Sequence, residues 1–182
     1  MGLRGETGRR VRAHVGHDYL PVSVWGRLDV GTFRDMSHLI QRTVHTSWDA
    51  QSVFDYLLAF ENAVEWDAGT VTCHRTSGEG GVGTTYENVS EFRGSRTTLE
   101  YTVESVEGSH RFVIIGRNKT VTSKDTITVE EHDGSTSVDY QAEMTFHGIA
   151  KLASPFLGGA LTKLGDDAEK TLSEALSKHA GS

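Results

Sequence analysis

The chain of 182 residues has a single cysteine and no apolar stretch near the roughly 20 residues that a membrane-spanning helix needs. The lone Cys73 cannot form an intramolecular disulfide, so a reducing cytoplasm is the simplest compartment. The N-terminus lacks the apolar core of a secretory signal peptide, which supports the same expectation. Basic residues are also outnumbered, 18 against 25 acidic ones, and the net charge of −7 argues against nucleic acid as the main partner.

Sequence motifs for metal, nucleotide or nucleophile chemistry are missing as well. The nine histidines form no His-x-Glu arrangement, and no Cys-x-x-Cys or Gly-x-Ser-x-Gly is present. The glycine-rich stretch 78–83 is not followed by Lys-Ser or Lys-Thr, and the strand-like residues after it predict a hairpin instead of a phosphate loop. We therefore expect no metal, no cofactor and no assignable catalytic residue.

The N-terminal part differs from the rest in charge and pattern. Residues 1–35 carry six Arg and four acidic residues, a net charge of +2, which leaves −9 for the remainder. Because residues 1–18 are rich in Gly, Arg and His and show no amphipathic period, we expect 1–35 to be an extension, disordered or forming a loose extra strand. Residues 36–182 are predicted to form a single domain.

Within that domain, seven segments with a two-residue period predict strands. The first, Leu39–Ser47, is followed by a helix over Ala50–Phe60, with Asp49 as its N-cap, and by a short helical turn over Glu61–Trp66. The other strands are predicted at Thr70–Thr76, Thr84–Phe92, Thr97–Glu107, Arg111–Thr120, Asp125–Glu131 and Thr136–His147.

The C-terminal 34 residues carry the most informative pattern. An amphipathic helical period runs from Ile149 to Ser182, with a kink expected at Ser154-Pro155 because proline cannot donate the helical hydrogen bond. Its apolar stripe consists of Leu157, Leu161, Leu164, Ala168, Leu172 and Leu176. The preceding strand places Val138, Tyr140, Ala142, Met144 and Phe146 on one face. We therefore predict an α+β fold in which a curved seven-stranded antiparallel sheet grips a long terminal helix and leaves a cavity between them.

The ordered set of motifs over residues 38–180 resembles the helix-grip fold of the START/Bet v 1-like (SRPBCC) superfamily, in particular its bacterial polyketide cyclase/dehydrase and lipid-transport branch. The resemblance is carried by Val53-Phe-Asp-Tyr-Leu57, Glu65-Trp66, Gly81-Val-Gly83, Asp125-Thr-Ile-Thr-Val-Glu130 and Phe146-His-Gly148. It implies a hydrophobic pocket between sheet and helix, and it implies Trp66 as a residue of that pocket. Members bind lipids, sterols, polyketides or hormones, and some cyclise or dehydrate polyketide chains.

The inward faces of the predicted strands and helix supply the other candidate ligand-binding residues. Tyr86, Asn88, Tyr101 and Tyr140 offer hydrogen bonds inside an apolar pocket. The candidate wall residues are Phe112, Ile114, Met144, Leu157 and Leu161. Ordinary core packing is the alternative for each: it is as good an interpretation as ligand contact for Tyr86 and Tyr140, slightly the better one for Tyr101, and the first interpretation for the apolar residues.

Two functions remain open. The favoured one is binding or transport of a small hydrophobic ligand such as a lipid, fatty acid or polyketide, by a monomer or homodimer without catalysis. The alternative is a polyketide cyclase, aromatase or dehydratase-like enzyme that uses the same cavity. A titratable group deep in the cavity would favour the enzyme, and we single out Arg42 beside Tyr140 as the residue whose position decides the matter.

Overall fold

The computed structural model describes residues 37–181, so the expectations for residues 1–35 lie outside the described part of the chain. All seven strands belong to one antiparallel sheet of order β1-β7-β6-β5-β4-β3-β2. The strands are β1 (Ser37–Thr46), β2 (Thr70–Ser77), β3 (Thr85–Phe92), β4 (Ser95–Glu107), β5 (Arg111–Arg117), β6 (Val121–His132) and β7 (Ser135–Phe146). The curved sheet wraps a long C-terminal helix, which confirms the predicted α+β helix-grip fold.

Two short helices follow β1, as predicted. Helix α1 (Ala50–Leu58) begins at Asp49, whose carboxylate accepts a hydrogen bond from the backbone of Ser52. A single 3₁₀ turn (Phe60–Asn62) connects it to α2 (Ala63–Trp66). Val53, Phe54 and Leu57 bury the apolar face of α1, so the helical spacing in the sequence correctly identified its core side.

The C-terminal helical region is divided where the sequence predicts a kink. Helix α3 (Ala150–Ala153) is followed by a 3₁₀ turn (Ser154–Phe156) that contains the proline, and α4 (Gly158–Ala180) then continues for 23 residues. The buried residues of α4 are Leu161, Gly165, Ala168, Leu172, Ala175 and Leu176. They follow the predicted stripe, and this side of α4 faces the sheet. No helix in the described part is long and apolar enough to cross a membrane.

The start of β6 differs from the sequence prediction. The strand begins at Val121 instead of Asp125, and β5 ends at Arg117 instead of Thr120. The reason is a tight turn in which the Asn118 side chain accepts hydrogen bonds from the backbone amides of Thr120 and Val121. Ser123 and Asp125 therefore lie inside the strand and on its buried face.

Candidate functional site

A cavity of about 130 Å³ lies between the sheet and the N-terminal half of α4. Most of its wall is apolar. Apolar lining residues from β4, β6, β7 and α4 include Leu99, Val121, Met144, Phe146, Leu161 and Leu164. The exposed Glu91 and the half-buried Phe92 also line it, which places its opening at the end of the β3–β4 hairpin.

Two glycines allow close packing in the wall around this cavity. Gly116 of β5 lies between Tyr101 of β4 and Ser123 of β6 in the strand register. A Cβ atom on Gly116 would lie 2.4 Å from the Tyr101 ring, so only glycine lets the phenol occupy this position. On α4, a Cβ on Gly165 would lie 2.7 Å from Cγ2 of Ile40, so glycine also permits the close approach of α4 to β1.

The floor of the cavity carries a hydrogen-bonded group of polar side chains. The Ser123 hydroxyl donates to Oδ1 of Asp125 at 2.6 Å, and the Tyr101 hydroxyl interacts with both of these residues. Tyr101 and Ser123 line the cavity directly, whereas Asp125, only 3% exposed, lies immediately behind them. Burial raises the pKa of Asp125 to about 7, and the nearby charge of Asp67 acts in the same direction, against the hydrogen bonds from Ser123 and Tyr101.

Asp67 is a second carboxyl group at the cavity. It follows α2 directly, and its two oxygens accept hydrogen bonds from the Gly69 backbone at 3.1 Å and from the Thr70 hydroxyl at 2.7 Å. Burial raises the pKa of Asp67, and these two hydrogen bonds oppose that rise. The side chain nevertheless keeps some accessible surface, because it faces the cavity.

Tyr140 of β7 completes the polar part of the wall. Burial, and then the charges of Asp125 and Asp67, raise the pKa of its phenol well above the ordinary value. Its ring packs edge-on against Trp66, with 6.0 Å between the ring centroids. Among residues 37–181, the Tyr140 hydroxyl has no hydrogen-bond partner, so it is available to a ligand.

Four of the ten sequence-predicted site residues line this cavity: Tyr101, Tyr140, Met144 and Leu161. The alternation of β4 and β7 and the helical stripe of α4 place them there. These four therefore surround one cavity together with Ser123 and Asp67.

The other six predicted residues lie in the surrounding core and do not line the cavity. Trp66 packs behind Tyr140 and against Phe60, and Tyr86 also packs against Phe60. Phe112 meets Phe54 edge-on, and Ile114 pairs with Asp125 across the β5–β6 ladder. Leu157 is half-buried at the start of α4.

Asn88 has a supporting position. Its amide nitrogen donates to the Thr70 hydroxyl at 2.9 Å, and its oxygen accepts from Ser90 at 2.6 Å. Since the Thr70 hydroxyl in turn donates to Asp67, Asn88 orients Asp67 through Thr70. The buried amide is therefore hydrogen-bonded at both ends.

Arg42 does not enter the cavity. Its guanidinium group contacts Asp166 at 2.5 Å and Glu169 at 3.2 Å, both on α4, and these ion pairs fasten β1 to the helix near the surface. The buried or half-buried carboxyl groups at the cavity are instead Asp67 and Asp125, neither of which the sequence identifies as a site residue. A signal for Asp125 was present, because Asp125 is in two-residue register with the buried Ile127 and Val129.

The polar groups of the cavity are acidic or neutral. Within the described residues, no lysine, arginine or histidine lines the cavity, and no three His, Cys, Asp or Glu side chains are placed to hold a metal ion. A protonated Asp125 is able to donate a hydrogen bond, while an ionised Asp67 is able to accept one or to take a proton.

Comparison with known proteins agrees with this architecture. The profile of a family described as polyketide cyclase/dehydrase and lipid transport matches residues 37–177. No curated protein sequence matches the chain.

Solved structures share the fold at low sequence identity. A START superfamily protein from Mycobacterium smegmatis is 11% identical, with a TM-score of 0.63 over 76% of this chain and 97% of that one. The Zhui aromatase/cyclase from Streptomyces sp. R1128 is 10% identical, with a TM-score of 0.65 over 80% and 94%. Ara h 8.0201 is 10% identical, with a TM-score of 0.51 over 76% and 99%. At this identity, the likeness establishes the fold alone.

Proposed function

The chain belongs to the polyketide cyclase/dehydrase and lipid transport family, and we propose on this basis that it binds a small hydrophobic molecule, lipid or polyketide-like, between the sheet and α4. Tyr101, Tyr140, Met144 and Leu161 contact the ligand directly. The remaining predicted residues act from the layer behind, where they hold the wall in place.

One observation supports this proposal above the others, namely the apolar cavity with a polar floor. Ligand pockets typically combine an apolar wall with a few hydrogen-bonding groups that orient the ligand. Burial supplies the affinity, at about 25 cal/mol for each Å² of apolar ligand surface removed from water. The hydroxyls of Tyr101, Ser123 and Tyr140 supply the orientation.

The size of the cavity limits what fits inside. A volume of about 130 Å³ lies below the roughly 300–1,000 Å³ of pockets for drug-sized ligands. It is close to the roughly 150 Å³ of an engineered cavity that binds benzene. The enclosed part of the ligand is therefore about one ring in size, and any longer chain extends past Glu91 and Phe92 to solvent.

Two measurements test the binding proposal. Native mass spectrometry of protein purified from its own host is expected to show a retained small molecule. Titration with toluene, followed by amide chemical shifts, is expected to perturb residues around Tyr101 and Leu161.

The variant Met144→Arg places a charged side chain in the cavity and is expected to abolish the toluene shifts. Its matched control is Glu143→Arg, the same substitution one residue away on the outer face of β7, which is expected to leave them unchanged. Shifts confined to residues outside the cavity, or equal shifts in both variants, would contradict the proposal.

A second candidate function, a cyclase- or dehydratase-like enzyme, is favoured by the two carboxyl groups at the cavity floor. General acid–base catalysis needs a proton acceptor and a proton donor near the same substrate. The Asp67 carboxyl lines the cavity and fits the first role, and Asp125, whose pKa burial raises to about 7, fits the second together with Tyr101.

The ring-sized probe for this activity is 3-hydroxycyclohexanone. Asp67 would remove the proton beside the ketone, the carbon–oxygen bond to the hydroxyl would break, and a proton from Tyr101 or Asp125 would convert the departing hydroxide to water. Ultraviolet absorbance of the enone product follows the reaction. A rate equal to that in buffer, or a rate unchanged in Asp67→Asn, would exclude this function for the probe.

A further inference from the structure

The charges around the cavity are distributed unequally. Asp67 lines it and Asp125 lies directly behind its floor, but no cationic side chain among residues 37–181 lines it. Two arginines that are cross-strand neighbours of cavity-lining residues, Arg42 opposite Tyr140 and Arg96 opposite Glu91, are already paired. Arg42 contacts Asp166 and Glu169 on α4.

The other is Arg96, which contacts Glu91 at the opening with an N–O distance of 3.0 Å. Glu91 is therefore a neutralised, solvent-exposed carboxylate. Asp67 differs from it, because its oxygens receive only the hydrogen bonds of Gly69 and Thr70. Within residues 37–181, the interior carboxyl groups thus have no cationic side chain beside them in the cavity wall.

A separate observation indicates that a ligand reaches this polar end. Tyr140 is 9% exposed and lines the cavity, yet its hydroxyl has no hydrogen-bond partner within the described chain. The hydroxyl therefore offers a hydrogen-bonding group on the cavity wall that no side chain of the described residues uses, and a ligand group can bind it.

We propose that the cavity selects a ring-sized ligand bearing an uncharged hydroxyl group and excludes one bearing a carboxylate. This inference rests on the proposed binding function. The ligand hydroxyl donates to Asp67 and accepts from the Tyr140 phenol, while the ring fills the space among Leu99, Met144 and Leu161.

The preference for a hydroxyl and the exclusion of a carboxylate both follow from the polar side chains of the cavity. A hydroxyl is able to donate to the Asp67 carboxyl and to accept from the Tyr140 phenol, whereas a bare ring does neither, which favours the alcohol. A carboxylate loses its hydration on entry and then meets the charge of Asp67 without any cation to balance it. A fatty acid would therefore enter with its hydrocarbon end inward and keep its carboxylate in water.

Three probes that share one ring test the proposal: benzyl alcohol, toluene and benzoate, titrated at pH 8 by calorimetry or chemical shift. Benzyl alcohol is expected to bind most tightly, toluene more weakly, and benzoate at least about a hundredfold more weakly than the alcohol, since like charges brought together cost several kcal/mol. Benzoate affinity equal to that of the alcohol, or toluene affinity equal to that of the alcohol, overturns the inference.

Substitutions assign the effect to individual groups. Asp67→Asn is expected to raise benzoate affinity relative to benzyl alcohol by at least about tenfold, because the amide removes the charge at nearly constant shape. Asp133→Asn is the matched control, the same carboxyl-to-amide change in the exposed β6–β7 turn away from the cavity, and it is expected to leave the ratio unchanged. An equal change of the ratio in both variants contradicts the proposal.

Tyr140→Phe provides a test that does not depend on the fold of the Asp67 variant. This variant is expected to weaken the binding of benzyl alcohol by about fivefold to tenfold, as the loss of one hydrogen bond predicts, and to leave the binding of toluene unchanged. Alcohol affinity unchanged in Tyr140→Phe argues against the proposed contact. The failure of all three probes to bind the unmodified protein would instead count against the binding function itself.

Discussion

Two regions on the concave side of the sheet differ in how completely they are filled. The packed region contains Val53, Phe54, Phe112, Ile127 and Leu176, all between 0 and 3% exposed and none of them in contact with the cavity.

The hollow region, lined by Tyr101, Ser123, Met144, Leu161 and Ala168, encloses the cavity of about 130 Å³. One helix, α4, covers residues of both regions.

The difference between the regions lies in side-chain size at the inward positions. The packed region uses aromatic and branched residues, and Phe54 meets Phe112 edge-on with ring centroids 5.8 Å apart. The hollow region has Ser123 and Ala168 at corresponding inward positions of β6 and α4. The cavity therefore results from small residues at chosen positions, since protein interiors otherwise pack closely.

The largest expected effect comes from emptying the packed region. Phe112→Ala should lower the free energy of unfolding by about 3–5 kcal/mol, because it removes a fully buried ring and leaves a cavity. Phe92→Ala, which removes a half-buried ring from the cavity wall, should cost less than about half as much. Urea denaturation of both variants measures the difference, and equal losses would mean that the two regions are packed alike.

The second prediction concerns pH and the acidic floor of the hollow region. The pKa of Asp125 is about 7 in the folded chain, against an ordinary value of 3.8. The folded state therefore holds a proton that the unfolded state has released between about pH 4 and pH 7, so folding stability falls as pH rises through this window. At about 1.4 kcal/mol per pKa unit, the loss amounts to at most about 4 kcal/mol.

Asp125→Asn should remove most of this pH dependence, because an amide does not titrate in the window. Free energies of unfolding at pH 5 and pH 8 provide the measurement. The matched control is Asp133→Asn, the same carboxyl-to-amide change in the exposed β6–β7 turn, which should keep the dependence of the unmodified protein. If the free energy of unfolding of Asp125→Asn falls between pH 5 and pH 8 as much as that of the unmodified protein, Asp125 is not the group responsible.

The third prediction concerns larger side chains introduced from α4 into each of the two regions. Ala168 and Ala175 are both buried on the inner side of α4, but only Ala168 lines the cavity. Ala175→Leu should cost about 1–3 kcal/mol through overpacking, whereas Ala168→Leu should change stability by less than about 1 kcal/mol. Thermal unfolding of the two variants measures this difference in stability.

Ala168→Leu should also weaken toluene binding at least about tenfold, because its new side chain occupies the ligand space. Ala175→Leu is the control for this measurement and should bind toluene as the unmodified protein does. An equal loss of stability in both variants would indicate that the region beside Ala168 is not hollow.

The fold was predictable because each element carries its own period. The alternation from Val138 to Phe146 and the stripe of α4 indicated which sides are buried, and Asp49 indicated where α1 begins. These signals are local, and they identify a face without showing what lies opposite it. Phe112 and Ile114 were accordingly placed on the inward side, but the sequence did not show that the space in front of them is filled.

The polar floor was harder to predict, because its burial depends on contacts between strands. The predicted strand begins only at Asp125, because the turn at Asn118 that extends β6 backwards was not recognised. Asp125 is buried because Ile114 and Ala142 flank it in the neighbouring strands. Asp67 lies in a connection after α2, where no periodic pattern indicates the direction of a side chain.

The absence of a side chain at Gly116 bears on how the specificity of this protein is able to evolve. Every other amino acid would bring a Cβ atom to 2.4 Å from the Tyr101 ring and force the phenol away from its partners. The sheet side of the pocket therefore tolerates little divergence, while Ala168 on the helix side has room for larger residues. Descendants of this sequence with altered ligand preference should carry their substitutions on α4 and retain glycine in the fifth strand.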